Sequence, residues 1–410
     1  MPIPDPNEAP PRLPDEAPRL GRYAADEAFE ALLRRGNDHL APLEEELVRH
    51  APRPAAPFVV LCGAPRSGTT LLAQLLARSR AFDYVSNFTA RFWKAPYFAS
   101  LLEQRIGLKQ ALFPNRIESE YGVTPQPNEP HEFGFFWNSW LRYEGDTHRI
   151  ALRDMEPNRI DGLRSELWRL SSLSSLPFLI KNNIVGLNAA AAMRVLGDVR
   201  FVVVRRDPLF TAQSIYLARE EMLGSADPFW SLRPSGYAAM RSLDAPEQIA
   251  HQLAGIYEDI RCDLAEIGAP HVEIGYESLC RDPVAAVETV GRLAETPIDR
   301  AQLEHVRLSS RNTNRLDAAV LSRLSGALRD AGMLRGAGAL RDAGMLRGAG
   351  ALRSAETPHG METPPGVDPT HGMGAQHGAD TTHGMGAPHD AGTQFINEAA
   401  ATNGKHGSHP

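Results

Sequence analysis

Three turns that carry positive charge and one acidic cluster hold the chemistry this sequence can do. The first turn is Gly63-Ala64-Pro65-Arg66-Ser67-Gly68-Thr69-Thr70-Leu71, which follows the apolar run Phe58–Cys62 and opens a good helix-forming stretch. Strand, glycine-bearing turn and helix start together gather backbone N–H groups around an anion. The spacing Gly63-x4-Gly68 is that of a Walker A loop, but Thr69 stands where that loop needs lysine, and the positive charge sits inside the turn at Arg66. The second turn, Arg205-Arg206-Asp207-Pro208, follows the apolar run Arg200–Val204 and leads into a helical stretch that carries Ser214. A guanidinium fork at Arg206, with a hydroxyl one to two turns into the helix, suits a phosphate dianion. In the third, Lys181 ends the run Pro177–Ile180, and Tyr276 in the same way ends Val272–Gly275. The acidic cluster is Asn128-Glu129-Pro130-His131-Glu132, set against Phe133, Phe135, Phe136 and Trp137. A carboxylate or imidazole beside apolar rings can have its pKa moved toward the working pH, which suits a general base.

The Arg66 loop and the Arg206 turn, in this order and over one hundred residues apart, resemble the sulfotransferases that use 3′-phosphoadenosine 5′-phosphosulfate (PAPS). The Pro-Arg-Ser-Gly-Thr-Thr loop is similar to that of the bacterial and Golgi-like branch, and the resemblance spans roughly residues 55–315. It implies that the loop from Ser67 through Gly68, Thr69 and Thr70 to Leu71 holds the 5′-phosphate, with Arg66 over the bridging oxygen. It implies also that Arg206 and Ser214 hold the 3′-phosphate. Tyr276 opens a Tyr-Glu-x-Leu-x-x-Asp-Pro segment and would pack near the adenine; Lys181 matches a family lysine that approaches the sulfonate. Arg311 is a candidate for the late basic loop with which the family often closes its nucleotide site. The implied reaction is in-line transfer of a sulfuryl group from PAPS, as co-substrate and without a metal, to a hydroxyl or amine on a small-molecule, glycan or lipid acceptor. Two familiar bases are missing. Asn183 replaces the histidine of the cytosolic branch, and Ser86 and Asn87 stand near the position of the Golgi glutamate. The candidates that remain are Glu132, then His131, then Glu129. Two other readings stay open: an ATP-dependent, kinase-like phosphotransferase, and a catalytically silent nucleotide-binding module.

The elements needed to position these residues alternate between strand and helix, which predicts a P-loop-like parallel α/β sheet flanked by helices. Strands are expected at Phe58–Cys62, Pro177–Lys181, Arg200–Val204 and Val272–Tyr276, with helices at Thr69–Arg78, Leu187–Leu196, Leu209–Arg219 and Pro246–Ile267. In open sheets of this kind ligands sit at the carboxyl ends of the strands, and Arg66, Lys181, Arg206 and Tyr276 all follow or end a strand. Disordered segments are expected at 1–20 and 319–410, around a catalytic domain at 21–318. In the latter segment Gly326–Ala337 recurs unchanged at Gly338–Ala349, and His-Gly-Met recurs at His359, His371 and His383. Composition favours a solvated tail over a metal-binding tract there. The net charge of −7 gives no reason to expect nucleic acid. Three scattered cysteines argue for reduced thiols, and neither a signal peptide nor an eighteen-residue apolar run is present, so the expected setting is the cytoplasm. Aromatic residues crowd the region between Ser86 and Tyr237, where they would form core and acceptor cleft; oligomeric state is not legible.

Overall fold

The computed structural model describes residues 17–48, 51–114 and 116–334, and its sheet explains why the apolar runs are continuous rather than alternating. In β1 (Phe58–Gly63), Phe58, Val60 and Cys62 enter one apolar layer while Val59 and Leu61 enter the other. A strand covered on both faces must be apolar on both. β2 (Asp83–Tyr84), β3 (Phe178–Ile180), β4 (Val199–Arg205) and β5 (His271–Gly275) complete a fully parallel sheet in the order β2-β3-β1-β4-β5. β1 pairs with β3 from Phe58↔Phe178 and with β4 as far as Gly63↔Val204. The chain turns to one side of β1 for β2 and β3 and to the other for β4 and β5. The loops after β1 and β4 therefore part at a switch point, where a parallel sheet opens a crevice.

Helices cover both faces. α1 (Glu27–Val48) packs on α3 (Pro96–Arg105), between them in sequence lies α2 (Thr69–Arg78), and α4 (Gly134–Trp140) and α5 (Pro157–Ser171) follow. The single helix expected at Leu187–Leu196 is two pieces, α6 (Asn183–Leu187) and α7 (Ala189–Leu196). Asn188 divides them, its amide donating to His148 O and Ile184 O, both at 2.8 Å. α6 lies against β1 so closely that a Cβ at Gly186 would stand 2.4 Å from Leu61 O. Next come α8 (Pro208–Leu223), capped by Asp207, then α9 (Tyr237–Met240) and the long α10 (Ala245–Ile267). Tyr276 does not end β5 as expected but opens α11 (Tyr276–Arg281), and α12 (Pro283–Leu293) follows.

The boundary expected at 318 falls short of the folded unit. α13 (Ala318–Asp330) is capped by Asp317 and lies on α8 and α10, and its Leu324 and Leu328 are fully buried in the same apolar layer as β1. Gly326–Leu334, most of the first repeat unit, thus belongs to the fold, with Met333 and Leu334 packed against the core. Of the segment 1–20 expected to be disordered, Leu20 is tied to the fold, its N–H donating to Met222 O at 2.8 Å; residues 1–16, the second repeat unit and the His-Gly-Met tract lie outside the described residues. Among those described, no helix is long and apolar enough to cross a membrane.

Candidate functional site

A cleft of about 980 Å³ opens where β1, β4 and β5 end, and its walls include Arg66, Gly68, Thr69, Thr70, Leu71, Arg206 and Tyr276. The phosphate-loop candidate has the expected local geometry. Gly68 is left-handed (φ 105) and serves as N-cap of α2 without any side-chain acceptor, so the first N–H groups of the helix point out of it uncapped. Those of Thr69, Thr70 and Leu71 precede the first helical bond, which runs from Leu72 N to Gly68 O. Ser67 departs from the expectation: its N–H donates to Ala64 O at 3.2 Å and closes the turn. Gly68 also has a packing reason, since a Cβ there would meet the Tyr276 ring at 2.8 Å. Tyr276 therefore floors the cleft directly beside the loop.

Arg206 ties the walls together. Its Nε donates to Asn312 Oδ1 (2.8 Å), one Nη to Arg66 O (3.2 Å) and the other to Arg311 O (3.2 Å), while the guanidinium lies 4.6 Å above the Tyr276 ring. A guanidinium has five N–H donors, so two remain for an anion. Ser214 Oγ, expected at the 3′-phosphate, accepts from Arg66 Nε at 3.0 Å and so aims Arg66. Arg66 holds a left-handed conformation (φ 70) and its guanidinium lies 5.0 Å from the Tyr121 ring centroid. Burial pulls its pKa below the ordinary arginine value, and the positive charges of Arg206, Arg311 and Arg315 add to that effect. Mutually repelling guanidinium groups, half-buried at Arg66 and Arg206 and exposed at Arg311 and Arg315, beside uncapped helix N–H groups favour a polyanionic occupant.

On the other side of the loop, Lys181 is buried at the end of β3; its ammonium donates to Gly122 O at 2.8 Å and lies 3.1 Å from Glu132 Oε1. Glu132 lines the cleft with its side chain 39% exposed, and its backbone oxygen accepts from Asn182 Nδ2 at 2.8 Å. The same carboxylate would be 3.2 Å from a Cβ at Gly122, and Thr70 Oγ1 3.9 Å from it, so acidic cluster and phosphate loop meet there. Gly122 belongs to a tight turn, Glu120–Val123, with mutual backbone bonds of 2.9 Å and positive φ at Tyr121 and Gly122. This turn, which sequence reasoning missed, covers both cationic groups. Its only sequence signal is one glycine, without the Asn or Asp that usually precedes it in such turns.

The other two base candidates are placed otherwise. His131 Nδ1 accepts from Phe133 N at 2.8 Å, and burial, with Lys181 adding, pushes its pKa down to about 4. A neutral imidazole that already accepts at Nδ1 carries its proton on Nε2 and has no lone pair left for a substrate. Glu129 is buried behind α2, accepting from Gln74 Nε2 (2.9 Å) and Gln126 N (3.2 Å), with an Arg78 Nη at 3.7 Å. Of the aromatic residues between 86 and 237, Trp93, Phe133, Phe136 and Trp137 are core, whereas Phe135, Phe229 and Trp230 line the cleft.

Solved structures with a similar fold include the sulfotransferase STF9 from Mycobacterium avium, 19% identical, covering 75% of this chain and 82% of its own, with a TM-score of 0.47. Others are the sulfotransferase STF1 from Mycobacterium tuberculosis H37Rv (15%, 76% and 88%, 0.44) and the sulfotransferase domain of the Synechococcus PCC 7002 olefin synthase (14%, 71% and 94%, 0.33). No curated protein matches the chain. A family model described as "Sulfotransferase family" matches residues 57–300, from the start of β1 past α12, more than half of the sequence. The chain belongs to the sulfotransferase family.

Proposed function

We propose that this protein transfers a sulfuryl group from PAPS to a hydroxyl or amine acceptor by in-line displacement, with Glu132 as general base. The observation that carries the proposal is the Arg206 bridge. One guanidinium joins the Arg66 loop to the Arg311 segment, lies over Tyr276, and keeps two N–H donors for a phosphate. The uncapped start of α2 supplies backbone donors for a second phosphate in the same cleft, as a bisphosphorylated nucleotide requires. Thr69 at the lysine position of a Walker A loop weighs against a donor held by its β- and γ-phosphates.

PAPS supplies a sulfuryl group on a phosphate leaving group, so the protein need only place the acceptor and balance charge. Arg66, aimed by Ser214 and Tyr121, would balance the charge that grows on the departing 5′-phosphate. Lys181 has given one N–H to Gly122 O and faces Glu132, which leaves a further N–H for a sulfonate oxygen. An acceptor hydroxyl beside Glu132 would pass its proton to the carboxylate as its oxygen bonds to sulfur and the sulfur–oxygen bond to the 5′-phosphate breaks. Phe135, Phe229 and Trp230 offer the acceptor an apolar wall.

Glu132→Gln keeps shape and removes basicity. Turnover of PAPS with an accepted substrate should fall about 10²-fold or more, while affinity for 3′-phosphoadenosine 5′-phosphate (PAP) holds. Near-normal turnover in this variant would place the base elsewhere.

A further inference from the structure

Segment 309–317 forms a wall of the cleft through Ser309 and Arg311, yet it buries almost no side chain of its own. Polar contacts must therefore hold it. Arg311 N donates to Tyr276 Oη at 3.1 Å, and Asn312 Nδ2 to Glu277 Oε1 at 2.7 Å, which also accepts from Asp207 N. Arg206 adds its bonds to Asn312 Oδ1 and Arg311 O, and farther along the segment is met by Gln213, a residue only 2% exposed. Its Nε2 donates to Thr313 O at 2.8 Å and its Oε1 accepts from Arg315 N at 2.9 Å. One side chain thus pairs with the segment's backbone as a neighbouring strand would. Were the segment to leave, a buried amide would lose both partners, an outcome folded proteins avoid.

We infer that Gln213 is a positioning residue for the donor: it fixes segment 309–315 so that Arg311 faces the nucleotide. Gln213 and Ser214 are consecutive on α8; Ser214 aims Arg66 on one wall, and Gln213 holds the opposite wall. A single turn of α8 therefore acts on both walls, which the Arg206 guanidinium also ties together. The inference rests on the donor assignment proposed above.

The test is a double-mutant cycle on the full chain, read by calorimetric titration with PAP. Gln213→Met keeps length and helix compatibility while removing both bonds. It should weaken PAP about tenfold, leave kcat at saturating PAPS within twofold, and speed amide exchange at Thr313 and Arg315. Arg311→Ala, an exposed change that leaves the fold alone, should also weaken PAP, but add little in the Gln213→Met background because both act through one wall. Gln213→Glu, which retains the bond to Arg315 N but turns a carboxylate oxygen onto Thr313 O, should weaken PAP at least as much as Gln213→Met and serves where the Met variant fails to fold. Additive losses, or PAP affinity and exchange unchanged in both Gln213 variants, would overturn the inference alone. Failure of the wild type to bind PAP would overturn the donor assignment and the inference with it.

Discussion

Leu328→Ala tests whether the end of the described chain is part of the enzyme or an appendage. Leu328 lies inside the first repeat unit, where composition and glycine content point to a solvated tail, yet its side chain is fully buried among α8, α10 and the main apolar layer. Truncating a fully buried leucine costs about 2–5 kcal/mol, the spread depending on how far the site can collapse. At about 2–4 °C per kcal/mol for a domain approaching this size, the melting temperature should drop by roughly 4–20 °C. An exposed tail would give less than about 0.5 kcal/mol. The assay is urea unfolding followed by far-UV circular dichroism, with Arg329→Ala as an exposed control one residue away. Leu324→Ala should match Leu328→Ala. Ending the chain after Ala318 removes both leucines, strips the covering from α8 and α10, and frees one end of the donor wall, so PAP affinity should fall together with stability. A midpoint for Leu328→Ala within experimental error of wild type would refute the packing of α13.

Three further outcomes follow from the same geometry. Arg206→Ala should weaken PAP by about 1.5–3 kcal/mol, as loss of a charge-assisted contact would, while adenosine 5′-phosphosulfate, which lacks the 3′-phosphate, changes little in direct titration. Equal losses for both ligands would remove Arg206 from the 3′-phosphate. His131 and His148 are held at about 4 by burial, below their ordinary value, so the unfolded chain takes up protons first. Their contribution to stability is complete above about pH 6.5 and is lost as pH falls toward 4, and their imidazole proton resonances should not titrate between pH 5.5 and 8. Tyr121→Phe keeps the ring over Arg66 but loses the bond to Glu221, so it should retain more turnover than Tyr121→Ala; equal turnover would deny the ring a part.

The sheet was legible because strands buried on both faces must be written as unbroken apolar runs, as β1, β3 and the Phe201–Val204 stretch of β4 are, while β5 at the edge alternates Val272 and Ile274 with exposed His271 and Glu273. β2 was not, since two residues make no periodic signal. The Gly63–Leu71 turn could be read as a candidate anion loop because its chemistry is local: glycine, arginine and helix start lie within a few residues. What escaped depends on contacts between distant segments. Gln213 reaches residues one hundred positions away, and nothing in its neighbours announces a buried amide that needs two backbone partners. His131 ranked second to Glu132, since both sit beside aromatic rings in the sequence. The difference is local backbone geometry, which turns Nδ1 onto Phe133 N and leaves the carboxylate in the cleft. α13 was hidden by its repeat. Gly326 weakens the helical pattern, and Gly332, at φ 72, follows its end as a left-handed stop.

In the proposed reading, the two anion-binding elements at the switch point hold one nucleotide with phosphates at both 3′ and 5′ positions. Calorimetric titration of the full chain with PAP, AMP and magnesium ATP, at one fixed salt concentration, tests it most directly. PAP should bind tighter than AMP by about 1.5–3 kcal/mol, roughly 10- to 150-fold, and tighter than ATP with or without magnesium. PAP no tighter than AMP, or a magnesium-dependent preference for ATP, would overturn the donor assignment.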